Sequence, residues 1–370
     1  MAEVLIVGAG PAGIAAARAA AAGGAAVTLM DDNPAPGGQI WRGDKVILPC
    51  SFVTGYAKVY PTPLILATGA RERFLPFPGW TLPGVTGAGG LQALVKGGLP
   101  IANKRVIVAG TGPLLLAVAA YLKSRGAKVV RIVEQAEWSR IREFGMSMFG
   151  EPSRLLQAFS LKLRLLRVPY TTGCWPVAAD GNRRLEVVRL RRGDKTWMEG
   201  ADYLACGFGL VPNLELPLLL GCDLREGFVA VNEQQESSVT GVYCAGEITG
   251  VGGVEKAIGE GRIAGSAAAG KPLRAVSRSR RFVQQLAETF ALREELRTLA
   301  SPETIVCRCE DVTLGTIQPF SGWREAKLQT RCGMGTCQGR VCGPALEFLR
   351  GWQTESVRPP VFPTKVNDLI

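Results

Sequence analysis

The chain has 370 residues, 47% of them apolar and 20% charged, with a formal net charge of +11; this length suits two to three domains, and this balance excludes a disordered chain except at the tail. No apolar run approaches the roughly 18 residues of a membrane span, no basic stripe interleaved with aromatics marks a nucleic-acid surface, and the excess charge reads either as solvated surface or as a face for an acidic partner. Histidine is absent, and five of the ten cysteines fall between 307 and 342, so the commonest general base and zinc ligand are missing while a thiolate site is in prospect.

The chain opens on a strand, Val4 to Val7, that runs into Gly8-Ala-Gly10-Pro11-Ala12-Gly13 and straight into an Ala-rich helix. The Ala-rich segment from Ile14 to Ala26 reads as a helix in preference to a signal h-region, since a glycine fingerprint precedes it and a basic segment does not. Gly8 makes a tight turn, Gly10 lets backbone approach a pyrophosphate, and Gly13 lets helix pack on strand. The positive end of the helix then faces the phosphates. The next strand ends on Asp31, 23 residues after Gly8 and followed by Asp32, where an acid bonds ribose hydroxyls. Strand, loop, helix and acid together predict a dinucleotide site.

Gly37-Gly38-Gln39 follows, and after 24 residues comes Leu64-Ile-Leu-Ala67-Thr68-Gly69. Far downstream, Gly241-Val-Tyr-Cys-Ala-Gly246-Glu247 leads to Gly252-Gly253-Val254 and a helical stretch to about Ala264. These segments resemble the FAD fingerprints of the glutathione-reductase-like flavoproteins. The resemblance implies that Gly38 and Gln39 run beside the flavin and that Ala67, Thr68 and Gly69 form a turn of the site. It also implies that Gly246 and Glu247, where the class usually has Asp, meet the ribityl chain. Gly253 and Val254 would then sit near the pyrimidine edge, where a positive helix end stabilises an anionic reduced flavin. The plainer alternative for Glu247 is a capping acid. The interval 40–63 is short for this class: either the chain is shortened there, which would weaken FAD binding, or residues are missing from the sequence.

A second loop, Gly110-Thr-Gly112-Pro-Leu-Leu115, follows a strand, and a further strand from Lys128 ends on Glu134, 24 residues after Gly110. That spacing is NAD-like, and Glu134 would disfavour a 2′-phosphate. Leu115 stands where Gly or Ala allows close helix–strand packing, so NAD(H) binding and a scaffold that has lost its nucleotide both stay open. Asp202 to Asn213 resembles the return into the FAD domain. The expected class is α/β: two Rossmann-like dinucleotide-binding domains, with the FAD domain discontinuous over 1–100 and 205–270 and an NAD(P)-like domain inserted at 101–204. A charged helical linker, 271–300, follows.

Cys307-Arg-Cys309 and Cys337-x4-Cys342 supply four thiolates, the number a [2Fe–2S] cluster takes. Gly333, Gly335 and Gly339 would let backbone N–H groups reach the sulfurs and raise the potential. Structural zinc and free thiols are the alternatives, and Cys332 is a fifth candidate ligand. The pattern resembles the bacterioferritin-associated-ferredoxin-like domain, here 301–350, with 351–370 an extended tail. Cys50, Cys174, Cys206, Cys222 and Cys244 are expected to be core residues isolated from one another.

Over nearly its whole length the chain resembles the α (A) subunits of multi-subunit amine and amino-acid dehydrogenases: D-hydroxyproline dehydrogenase, octopine and nopaline oxidases, and hydrogen cyanide synthase. The distinctive stretches are Arg71 to Gly84, Gly110 to Leu115, Cys206 to Asn213, Glu247 to Gly261 and the cysteine module; Pro169 to Trp175 and Ala205 to Gly209 resemble the D-hydroxyproline branch. The resemblance implies that the substrate is oxidised on an FAD-bearing β subunit while this chain relays electrons. It leaves room for a small ferredoxin-like γ subunit, for FMN at a subunit interface, and for a place in the cytoplasm or at the inner membrane through the complex. No catalytic residue is assigned. An NADH-dependent FAD/iron–sulfur reductase and a non-redox scaffold with vestigial sites are the alternatives.

Overall fold

The structure, a computed structural model, describes residues 3–54, 63–147, 160–273 and 280–353, with 357 and 361. Pro359-Pro360 and most of the tail, 55–62 of the short interval and 274–279 of the linker lie outside the described residues. The chain divides into two compact units, one of Met1–Arg71, Leu210–Val283 and Val357–Ile370, the other of Glu72–Gly209 and Gln284–Ser356.

The first unit is built on a five-stranded parallel sheet in the order Val242–Cys244, Leu64–Leu66, Glu3–Val7, Ala26–Asp31, Ser51–Thr54. Val7 lies opposite both Met30 and Leu66, so the glycine loop leaves the sheet at its carboxyl edge beside the ends of its neighbours. Pro11 starts the helix Pro11–Ala22, where its missing N–H costs nothing and its fixed φ suits the first turn. This helix is apolar nearly all round because it is buried nearly all round. One covering element is the helix Gly253–Ala268: a Cβ on Gly261 would stand 2.1 Å from the Ala12 carbonyl oxygen, and one on Gly265 2.2 Å from that of Ala16. The described part of the short interval is not idle, since Trp41, Val46 and Leu48 pack on this core and Ser51–Thr54 forms the sheet's edge.

The second unit holds another five-stranded parallel sheet, in the order Val85–Gly87, Tyr203–Phe208, Arg105–Thr111, Lys128–Glu134, Tyr170–Thr172, and an antiparallel sheet of Cys174–Asp180, Val187–Arg192 and Lys195–Gly200. The chain is thus an α/β protein with two Rossmann-like sheets. Leu115 is buried, and its Cδ2 reaches the space left by Gly207 on the adjacent strand, which is how a bulky third position is tolerated. Leu75, Phe77, Trp175 and Phe208 share a core with Leu296, Leu299 and Phe348, so apolar residues within 271–300 are packed against folded structure. The cysteine-rich stretch has its own small core of Val306, Val312, Ile317, Trp323 and Leu346. It comprises the two-stranded ladder Ile305–Cys307 with Val312–Thr313 and the helices Leu314–Ile317, Trp323–Thr330 and Cys342–Arg350. Among the described residues no helix is long and apolar enough to cross a membrane.

Candidate functional site

In the first unit, every predicted flavin-site segment follows a strand end or begins a helix at the carboxyl edge of the parallel sheet, where open α/β sheets bind ligands. Gly8 adopts φ +107°, and a Cβ there would stand 2.2 Å from the Ala67 carbonyl oxygen; one on Gly13 would stand 1.8 Å from that of Gly8. Gly10, by contrast, has open space where its Cβ would be. Two glycines therefore serve packing and the middle one keeps a face clear beside Pro11 and Ala12, as pyrophosphate binding requires.

Asp31 is half-buried; its carboxylate accepts the Ala9 amide and, at 2.8 Å, the Asn33 amide. Asp32 beside it is raised by partial loss of its water shell and by the neighbouring Asp31. The Gly37 amide donates to the Ala9 carbonyl at 2.8 Å, and Gly38 packs so close that its Cβ would stand 3.0 Å from the Gly10 Cα. This brings Gly38 and exposed Gln39 alongside the first loop. The Thr68 hydroxyl donates to the Asn213 carbonyl at 2.9 Å, and the Asn213 side chain donates back to the Thr68 carbonyl at 2.7 Å, which fixes the turn through Gly69.

Glu247 accepts the Gly253 amide on Oε1 at 3.1 Å, while its Oε2 is buried without a partner. Burial raises its pKa. A buried carboxylate oxygen left unbonded costs free energy, and it suits a hydroxyl-bearing ligand lying across the start of the Gly253–Ala268 helix, where Val254 follows. The preceding turn is held by groups not singled out from the sequence. Lys256 Nζ donates to the Gly246 carbonyl at 3.1 Å and to Glu260 at 2.8 Å, and Glu260 accepts the Gly246 amide at 2.9 Å. The i,i+4 spacing of this pair on a helix was the available signal. The open face at Gly10, the half-exposed acid at Asp31 and the unpartnered Glu247 oxygen together fit a flavin dinucleotide.

The second loop differs. Gly110 is required, since a Cβ there would stand 1.9 Å from the Gly207 carbonyl oxygen. Glu134, however, is fully buried. Its carboxylate accepts the Gly112 amide at 2.7 Å and the Thr111 hydroxyl and Ala136 amide at 2.8 Å each. Burial lifts its pKa to about 7 against those bonds. Here the acid ties the loop together instead of facing solvent.

Cys307, Cys309, Cys337 and Cys342 all line one cavity of about 360 Å³, together with Trp80 and Glu72. Within the module, the sulfurs of Cys307, Cys332 and Cys342 lie within 4.8 Å of one another, all three residues buried, and Cys309 and Cys337 are hydrogen-bonded to each other. The Cys332 and Cys342 thiols hold Cys307 down at about 2, as a thiolate. The Gly333 amide lies 3.4 Å from the Cys307 sulfur, the kind of contact the glycines were expected to allow. They also make room: a Cβ on Gly333 would meet the Trp323 ring at 2.6 Å, and one on Gly335 the Cys309 Cβ at 2.3 Å. Three buried sulfurs within 4.8 Å of one another, with two more cysteines on the same cavity, suit a metal or cluster bound through deprotonated sulfur. Glu72, within the distinctive stretch Arg71 to Gly84 but given no role from the sequence, caps the helix Ala88–Lys96 by accepting the Gly89 amide at 2.6 Å; burial raises it. One expectation is corrected. Cys222 and Cys244 are not isolated but hydrogen-bonded neighbours, which brings Cys222 down to about 6; a 22-residue separation in sequence hid a contact made across the fold.

Residues 40–261 match the model of the pyridine nucleotide-disulphide oxidoreductase family, and residues 3–45 that of FAD dependent oxidoreductases. The chain is 31% identical to the opine oxidase A subunit of Rhizobium meliloti (strain 1021), over 99% of its own length and 98% of that protein's. It is 31% identical to the HcnB subunit of hydrogen cyanide synthase of Pseudomonas aeruginosa, over 91% and 90%. Among solved structures, L-proline dehydrogenase from P. horikoshii superposes over all of this chain and 79% of that one, with a TM-score of 0.69 at 18% identity. T. acidophilum thioredoxin reductase superposes over 73% and 99%, with a TM-score of 0.56 at 21% identity. These two likenesses are of fold.

Proposed function

The chain belongs to the pyridine nucleotide-disulphide oxidoreductase family and, within it, to the family of opine oxidase A and hydrogen cyanide synthase HcnB subunits; from that premise we propose that it is the FAD- and [2Fe–2S]-bearing electron-transfer subunit of a heteromeric dehydrogenase. The substrate is an amino acid or opine oxidised at its CH–NH group on a partner β subunit, with D-hydroxyproline favoured by the stretch Pro169 to Trp175. The relatives' names, each that of one subunit in an oxidase or synthase, support a partnered role.

Flavin supplies two-electron chemistry and the cluster one-electron steps when bound. Gly10, with the start of Pro11–Ala22, holds the pyrophosphate, in a loop whose shape the packing of Gly8 and Gly13 fixes. Asp31 takes the ribose hydroxyls, and Asp32, Gly38, Gln39, Ala67, Thr68 and Gly69 line the approach. Gly246 and Glu247 orient the ribityl chain, with the buried Oε2 accepting a hydroxyl, and Gly253 and Val254 present the positive helix end. Cys307, Cys309, Cys337 and Cys342 ligate the cluster. The observation that carries this reading is the shared cavity of those four cysteines in a chain whose other unit keeps an open dinucleotide loop. With no histidine, the chain supplies no ordinary base for drawing a proton from an amine substrate. Assayed alone with D-hydroxyproline or octopine and a dye acceptor, it should show negligible oxidation; turnover at a full enzymatic rate would contradict the partner-based reading.

A further inference from the structure

The two glycine loops of this chain differ in what stands in front of them. Gly10 faces open space, whereas Gly112, its counterpart, has the Phe290 ring against it: a Cβ on Gly112 would lie 4.0 Å from Phe290 Cγ. A dinucleotide must bring its pyrophosphate against the backbone of this middle glycine and the start of the following helix, so the aromatic ring stands in the ligand's place.

The segment is held there at several points. The Ala291 carbonyl accepts the Gln135 side-chain amide at 3.1 Å, and the Phe290 carbonyl lies 3.4 Å from the Thr111 hydroxyl, whose single proton goes to Glu134 at 2.8 Å. The same Gln135 amide reaches Thr111 at 3.0 Å, while its Oε1 accepts the Arg293 amide at 3.3 Å. Arg293 donates to the Gln135 carbonyl at 3.2 Å, and its guanidinium lies 4.6 Å from the Trp175 ring centroid. Phe290 meets Phe144 edge-on at 5.5 Å. The ribose acid is withdrawn as well: Glu134 is fully buried, its oxygens taken by Gly112, Thr111 and Ala136. All these residues belong to one compact unit.

We propose that residues 290–293 form a strap that fills the pyrophosphate position of the second dinucleotide domain and so determines electron-donor specificity, closing this chain to nicotinamide dinucleotides. The domain keeps its fold because Gly110, Gly207 and Glu134 are needed by its own packing. The strap holds whether or not a cluster is ligated further along.

The test is a titration of the full chain with NADH, followed by nucleotide fluorescence, in wild type, F290A/Q135A and L115G. Wild type should show no saturable binding up to millimolar NADH. Removing the ring and the glutamine bridge should tighten binding by about tenfold or more, and L115G alone should not. Micromolar binding by wild type would overturn the proposal. So would a failure of F290A/Q135A to gain affinity, or a gain from L115G alone, since the barrier would then lie in the loop itself.

Discussion

Glu247 has one carboxylate oxygen bonded to the Gly253 amide and another buried without a partner. In the folded chain without ligand this oxygen costs about 1–3 kcal/mol; a ligand hydroxyl removes that cost. E247A should therefore weaken FAD retention by about tenfold, while the flavin-free chain, which loses the bond to Gly253 together with the cost of the unbonded oxygen, should melt near wild type. Flavin content after desalting and the melting temperature of the apoprotein measure the two effects, and unchanged FAD affinity would contradict the assignment. Glu134 yields a pH prediction. Burial raises it from 4.5 to about 7, so its contribution to stability is in full below pH 4.5 and is lost as pH rises through 7. No histidine contributes in that window. The melting temperature should decline across it in wild type, and this decline should shrink in E134Q; parallel declines would contradict the origin assigned. At this scale the sequence was partly legible. The motif flagged Glu247 and Glu134 alike, because both close a strand-and-turn pattern. It could not show that one keeps an unbonded oxygen and the other is sealed by Thr111 and Ala136, since burial depends on what packs over the strand end.

At the scale of elements, the first unit depends on one helix pair. Pro11–Ala22 and Gly253–Ala268 approach so closely that a side chain at Gly261 or Gly265 would strike the backbone of Ala12 or Ala16. G261V or G265V should cost about 1–3 kcal/mol and also lower flavin content, because the second helix begins at the Glu247 turn. G259A, where a Cβ meets nothing, should be neutral or stabilise by up to about 1 kcal/mol. A G261V chain melting with wild type would refute the pairing. Strands ending in an acid were legible from apolar runs and glycine spacing: Lys128–Glu134 forms as expected, while the helix after Glu247 runs past Ala264 to Ala268, the stop being Gly270 at φ +72° with Pro272 behind it. The role of Leu296 and Leu299 was not legible. Two leucines within a charged stretch carry no clear period, and only the core that receives them, with Trp175 and Phe348, gives them meaning.

At the scale of the whole molecule, family membership was readable because the glycine loops, the Glu247 segment and the cysteine spacing recur in order along nearly all of the chain. The aligned span with the opine oxidase A subunit, 458 positions, exceeds the 370 residues here, so that relative carries segments with no counterpart in this chain; the short 40–63 interval was the place where the sequence itself suggested a loss. Cys332 is the fifth thiol of the C-terminal cysteine group. Its sulfur lies within 4.8 Å of those of Cys307 and Cys342, so it competes for a ligand place with Cys309 and Cys337: with the proposed set Cys307, Cys309, Cys337 and Cys342, C332S should keep the visible bands of the cluster and C337S should lose them; the reverse outcome would exchange the two.

One flavin and one cluster in a relay subunit are tested most directly by the anaerobic visible spectrum of the purified chain before and after dithionite, with iron and zinc measured on the same sample. The expected result is flavin bands on a broad cluster shoulder, both bleached by dithionite, with about two irons per chain. A colourless preparation carrying zinc would contradict this and leave the chain a structural subunit with vestigial sites.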